Sequence, residues 1–222
     1  MYSRMTLRLL LAAALLLANA GAFAQKDTLT FMTYNLLQYG NTRNFCDTQC
    51  KNTNLNTVLK QVRPHIWGVN EMSTSEAVAN ALMASVLNTD GADWWRKAPM
   101  TPAGGSPIVN AIYYDSRKVG LLATTNVPNE ARLNLYKFYY KAGDLDRNPD
   151  TLFFHVVVVH LKAGSGASDA QSRDRETQAL MTLLARQGVQ NLFLMGDLNV
   201  YTANEAAFQN LTTNTNADIN LI

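Results

Sequence analysis

The sequence predicts an α/β protein built as two sheets stacked face to face and covered outside by helices. Three observations lead there. Helix-period and strand-period segments both recur along the chain. The stretch 110–160 holds consecutive strands with no helix between them, which disfavours a purely parallel, doubly wound sheet. Helical segments lie on both sides of that stretch in sequence, as outer covers for two packed sheets require. No internal repeat or low-complexity linker divides the 222 residues.

The first residues read as a signal peptide rather than as fold. Arg4 and Arg8 give a positive start, and Leu9 to Leu17 is an apolar run too short to span a bilayer as a helix. Ala22-Phe23-Ala24 fits a small-x-small cleavage site, so residues 1–24 are expected to be removed and 25–222 to form one domain. An N-terminal membrane anchor is the competing reading. Export implies a secreted or periplasmic protein, without a stable membrane anchor and expected to be monomeric. Removing Arg4 and Arg8 lowers Lys plus Arg from 19 to 17, equal to the 17 Asp plus Glu. A formally neutral domain lacks the overall basic excess of a dedicated nucleic-acid binder.

The elements follow in order. "TLTFMTYN" (28–35) has strand character. Cys46 and Cys50, in "NFCDTQCKN", could form a local disulfide or remain free thiols; two thiolates without a nearby His do not make a zinc site. "NLNTVLKQVRP" (54–64) has helical spacing and stops at Pro64. "HIWGVNE" (65–71) is a strand. "TSEAVANALMASVLN" (74–88) is a helix capped by Thr74 or Ser75, with Val78, Ala81, Leu82, Ser85 and Val86 facing inward. Strands are expected at 110–115, 119–125, 132–141 and 151–162, with a turn at 143–150. The loop 164–171 reads as a flexible connector. A helix is expected at 172–187, its Arg173, Asp174, Arg175 and Glu176 on a solvated face. The last elements are a strand at 191–197 and a helix at 202–211.

Functional residue types gather at the strand ends. The first strand ends at Asn35, the second at Asn70 and Glu71, the strong central one at His160, and the last at Asp197 with Asn199 just beyond. Strand ends and the loops after them are where packed sheets place their chemistry. Carboxylates with an amide oxygen suit Mg²⁺, Mn²⁺ or Ca²⁺, not a soft metal, and a lone His can donate to a phosphate oxygen. Each residue has a structural alternative. Asn35 suits a turn, Glu71 suits the start of the following helix, and "GDLN" (196–199) suits an Asx turn. His155, of opposite parity to His160, and His65 read as structural. In an extended segment Asp197 and Asn199 would share a face.

Four short motifs occur in order: "TYNLL" (33–37), "NE" (70–71), "HLKAG" (160–164) and "GDLNVY" (196–201). Together they resemble the endonuclease/exonuclease/phosphatase superfamily, the family of deoxyribonuclease I, across nearly all of residues 25–222, and within it the secreted bacterial branch. The resemblance implies a four-layer α/β/β/α sandwich, deoxyribonuclease I-like, with its site at one end of the two sheets. It implies a divalent metal, usually Mg²⁺, held by Glu71 with Asn35 close by. Asp197 would orient or deprotonate a water, Asn199 would hold phosphate oxygens, His160 would donate to the scissile phosphate, and Arg132 would contact phosphate. The family pattern closes with a Ser-Asp-His strand, whereas this sequence ends at "TNADINLI" (215–222). A domain incomplete at its C-terminus is therefore expected.

The expected function is a secreted, metal-dependent phosphodiester hydrolase, with nucleic acid as the leading substrate. A non-catalytic remnant that keeps the phosphate and metal pocket is the alternative, and an extracellular lipid phosphodiesterase a third. Substrate choice is expected to lie in loops 40–53, 98–108 and 164–171.

Overall fold

The computed structural model describes residues 28–41, 46–101, 104–143, 151–189 and 191–213. The expected signal peptide, residues 144–150 of the turn expected at 143–150, and the C-terminal stretch from 214 lie outside them. The described chain forms two four-stranded sheets. The first has the order β1-β2-β4-β3, from β1 (Phe31–Tyr39), β2 (Ile66–Ser73), β3 (Trp95–Lys97) and β4 (Ile108–Asp115). The second runs β5-β6-β7-β8, from β5 (Val119–Val127), β6 (Glu130–Tyr140), β7 (Phe153–His160) and β8 (Leu192–Asp197). β1 pairs with β2, and β7 with β8, in parallel; the other neighbours are antiparallel.

Strand parity explains the layers. In β7, Val156 and Val158 face the first sheet and join Ile66, Ile112, Phe138 and Met195 in the core between the sheets. Val157 and Val159 face the other way and pack with Leu180, Leu184 and Leu211 of the outer helices. Those helices are α3 (Ala167–Gln187) and α4 (Ala206–Thr212). The first sheet is covered likewise by α1 (Thr48–Val62) and α2 (Glu76–Leu82), through Leu55, Leu59, Ala79 and Leu82. Helices thus pack on the outer face of each sheet, which gives the four layers α/β/β/α.

Several boundaries differ from the sequence reading. α1 begins at Thr48, because the Asp47 side chain caps it by accepting from the Cys50 amide (2.8 Å), and a Cys46–Cys50 disulfide ties its first turn. Ser75 caps α2. Ala81 and Ser85 are exposed and Ala79 is buried instead, and the helix runs on as a π turn over Met83–Leu87. β3 was not anticipated; three residues are too few for a period. α3 starts at Ala167, so much of the expected 164–171 loop is its first turn. The rest is pinned: Gly164 O accepts from Arg173 and Gly166 N donates to Asp169.

The solvated face on α3 is also overturned. Arg175 is exposed, but Arg173 is 1% exposed and Glu176 is 7% exposed. Arg173 faces the loops after β7 and β8, where Glu205 and two carbonyls satisfy its guanidinium.

Candidate active site

The polar residues of the intersheet parity all fall at one end of the sandwich. In β1, Phe31 packs between the sheets and Asn35 follows at the same parity. In β8, Met195 is followed by Asp197; in β7, Val158 by His160. The register Asn35↔Asn70 and His160↔Asp197 brings the parallel strand ends level within each sheet. The antiparallel strands enter at this end, so Arg132, beside the Leu133↔Val159 pair, arrives next to His160.

Glu71 breaks the parity, and the backbone shows how. It sits at φ 58, and between the pairs Val69↔Ala111 and Met72↔Val109 β2 carries one residue more than β4. This is a β-bulge, a device that re-aims a side chain beside a site. Next to it Leu37 and Gln38 of β1 take φ 50 and 57, and the Lys51 ammonium donates to the carbonyls of Leu36 (2.9 Å) and Leu37 (2.5 Å).

The result is a compact constellation. The Asn35 amide donates to Glu71 Oε1 (2.9 Å) and Asp197 Oδ2 (3.1 Å), joining the two sheets. Asn35 Oδ1 accepts from the Leu37 amide (2.9 Å). His160 Nε2 lies 3.9 Å from Glu71 Oε1. Burial, then the charge of Arg132, holds the imidazole below its ordinary pKa, against the opposing pull of Glu71 and Asp197. This favours the neutral imidazole. Arg132 is half-buried, and Glu176 stands 3.5 Å from its guanidinium. Asn35, Glu71, His160 and Asp197 are thus brought together, with Arg132 beside them.

Asn199 departs from the sequence argument. β8 ends at Asp197 and Asn199 adopts φ 48, so the two do not share a face of an extended strand. The Asn199 backbone donates to Asp197 Oδ1 (3.1 Å), an Asx turn, and its side chain donates to Leu161 O (3.1 Å). The Asx-turn reading of "GDLN" therefore holds, and the turn fixes the Asp197 carboxylate. His65 is structural, its Nδ1 accepting from the Thr30 amide (2.9 Å).

A shallow groove runs between the edge strands β1 and β8, lined by Tyr34, Asn35, Asn70, Asp197 and Leu198. A larger cleft of about 570 Å³ opens at the far end of the first sheet, around His65, Trp94 and Trp95. There Arg117 pairs with Asp115 and lies over the Trp94 ring, so its charged groups satisfy one another. The groove, not the cleft, is lined by Asn35 and Asp197, and Glu71 accepts from the same Asn35 amide.

Among the described residues no three His, Cys, Asp or Glu side chains converge on one point. Two carboxylates meeting at one amide nevertheless suit a hard cation. Mg²⁺ is commonly held by one or two carboxylates, with water and substrate oxygens completing its shell.

Residues missed from sequence are Asn110, Asn134, Arg173, Glu176 and Glu205. Asn110 and Asn134 carry a readable signal, an amide at the inward parity of an apolar strand. The Arg173–Glu205 pair, 32 residues apart, carries none.

No family model matches the sequence, and no curated protein matches it. Solved structures do match in fold. An endonuclease/exonuclease/phosphatase from Bacteroides vulgatus matches with TM-score 0.64 at 18% identity, over 86% of this chain and 72% of its own. A humanized D. rerio TDP2 carrying 14 mutations matches with TM-score 0.55 at 14% identity, over 81% of this chain. D. rerio TDP2 complexed with a single-strand DNA product matches with TM-score 0.53 at 13% identity, over 79% of this chain. The chain spans 66% and 62% of those two TDP2 chains.

Proposed function

We propose, for a chain whose fold fits the endonuclease/exonuclease/phosphatase superfamily, that it is a divalent-metal-dependent phosphodiester hydrolase acting on nucleic acid. One observation carries this reading: the Asn35 amide bridges Glu71 and Asp197 across the two sheets, with His160 Nε2 3.9 Å from Glu71 Oε1. The TDP2 neighbour bound to a single-strand DNA product supports a nucleic-acid substrate. The N-terminal apolar run supports export.

Glu71 would hold the metal ion, with Asn35 close by to add its Oδ1, which has a lone pair beyond the one taken by the Leu37 amide; Mg²⁺ comes first, with Mn²⁺ or Ca²⁺ as alternatives. When bound, the ion supplies Lewis-acid stabilisation of charge on the phosphoryl oxygens. Asp197 accepts the proton of the water that attacks phosphorus; the Asn199 turn and the Asn35 amide hold its carboxylate in place. The neutral His160 ring donates an N–H to a phosphoryl oxygen, and Arg132 adds positive charge beside it. One Asn199 N–H is taken by Leu161 O, which leaves the second for the phosphate.

The test is hydrolysis of DNA, RNA and bis-p-nitrophenyl phosphate with Mg²⁺ or Mn²⁺. Glu71→Ala, His160→Ala and Asp197→Ala are each expected to lower the rate by about 10²-fold or more, and EDTA to abolish it. Activity that persists in all three variants, or that ignores EDTA, overturns the assignment.

A further inference from the structure

A line of buried amides runs beneath the site. Asn70 is 1% exposed, Asn110 and Asn134 are 0% exposed, and Thr101 closes the line at 7%. The Asn70 amide nitrogen donates to Asn110 Oδ1 (2.8 Å) and to Val159 O (2.8 Å). The Asn110 nitrogen faces Asn134 Oδ1 (2.9 Å), Arg132 O (2.6 Å) and Val158 O (3.1 Å). The Asn134 nitrogen donates to Thr101 Oγ1 (2.9 Å). Main-chain carbonyls only accept, so the orientations of Asn70 and Asn110 are fixed, and that of Asn134 follows.

The places where this line grips the backbone are not arbitrary. Asn70 precedes Glu71. Val159 precedes His160. The carbonyl of Arg132 is itself an anchor. Resting on the hydrolase reading above, we propose that the Asn70–Asn110–Asn134 line is a positioning device. It sets the spacing of Glu71, Arg132 and His160 across the gap between the sheets. Elsewhere that gap is filled by apolar side chains such as Ile112, Phe138 and Val158. Apolar contact is non-directional and tolerates sliding of one sheet over the other. Hydrogen bonds of fixed direction do not. Removing the three amides together also removes their bonds to one another, and it leaves the carbonyls of Arg132, Val158 and Val159 and the Thr101 hydroxyl without these donors.

The experiment replaces the line whole, as Asn70→Leu/Asn110→Leu/Asn134→Leu. The variant is expected to unfold cooperatively, at a lower temperature than wild type because those acceptors lose their donors. Its kcat on bis-p-nitrophenyl phosphate should fall about 10²-fold, the size of effect an ångström of misplacement produces, with KM little changed. Its crystal structure should show the Glu71 Oε1 to His160 Nε2 separation moved from 3.9 Å. A folded variant with wild-type kcat and an unmoved separation overturns the proposal and leaves the line merely structural. Should the triple variant not fold, Asn110→Ser, which keeps a donor but shortens its reach, is read by the same two measurements. An inactive wild type defeats the hydrolase reading instead, and the crystallographic separation still decides the positioning role.

Discussion

At the scale of single residues, the site depends on backbone that most side chains avoid. Gly196 sits at φ 130 beside Val159 in the parallel β7–β8 pair, and a Cβ there would run into the Val159 carbonyl. Gly196→Ala therefore combines a forbidden φ with a backbone clash. It should destabilise by about 2–4 kcal/mol in urea denaturation, since strain and overpacking each contribute on the order of 1–3. Glu71 and Asn199, at φ 58 and 48, show the same signature without glycine. These residue types were legible from sequence as candidates, because carboxylates and amides recur where apolar strands end. Their geometry was not. The bulge that turns Glu71 inward arises from how β2 pairs with β1 and β4 together, and neither partner is visible in "HIWGVNE".

At the scale of elements, α3 is the strut of the second sheet. Arg173 donates to Glu205 Oε2 and to the carbonyls of Lys162 and Gly164, all at 2.8 Å, while Glu205 Oε1 accepts from the Tyr201 amide (2.9 Å). One guanidinium thus holds the loop after His160 and the loop after Asp197. Arg173→Met leaves Glu205 and two carbonyls without their donor. A loss of stability in urea denaturation is expected, together with faster amide exchange in both loops. Glu176 is the second strut, accepting from the Lys162 amide (2.8 Å). Burial, its largest influence, raises its pKa despite the opposing Lys162 amide, Arg132 and Arg173. The fold therefore binds the Glu176 proton more tightly than the unfolded chain does. The stability it contributes is full at low pH and lost as pH rises through the raised pKa. Thermal melts of Glu176→Gln against wild type should shift in favour of the variant as pH rises from the ordinary glutamate range, about pH 4.

At the scale of the whole molecule, the two sheets meet through an aromatic cluster that sits deep to the site. Phe154 stacks on Phe138 with centroids 5.7 Å apart and meets Phe31 (6.1 Å) and Phe193 (5.9 Å) edge to face. It is 1% exposed and links strands of both sheets. Phe154→Ala should cost about 3–5 kcal/mol, the range for large aromatic deletions in cores. Chemical denaturation followed by tryptophan fluorescence measures it. No described helix is long and apolar enough to cross a membrane.

The sequence by itself determined the layer order and the identities at the strand ends. Parity along "FFHVVVVH" and helical spacing on both flanks demand two sheets with outer helices, and that demand is local, set by which face of each element is apolar. It also separated His160 from His155 by parity alone. Only the tertiary structure decided what those ends do to one another. The Asn35 bridge spans 162 residues to Asp197, the amide line joins four strands of two sheets, and the Arg173–Glu205 pair ties a helix to a loop beyond β8. Such contacts are selected by the packing of whole sheets. No periodicity within one segment records which residues another segment will bring to it.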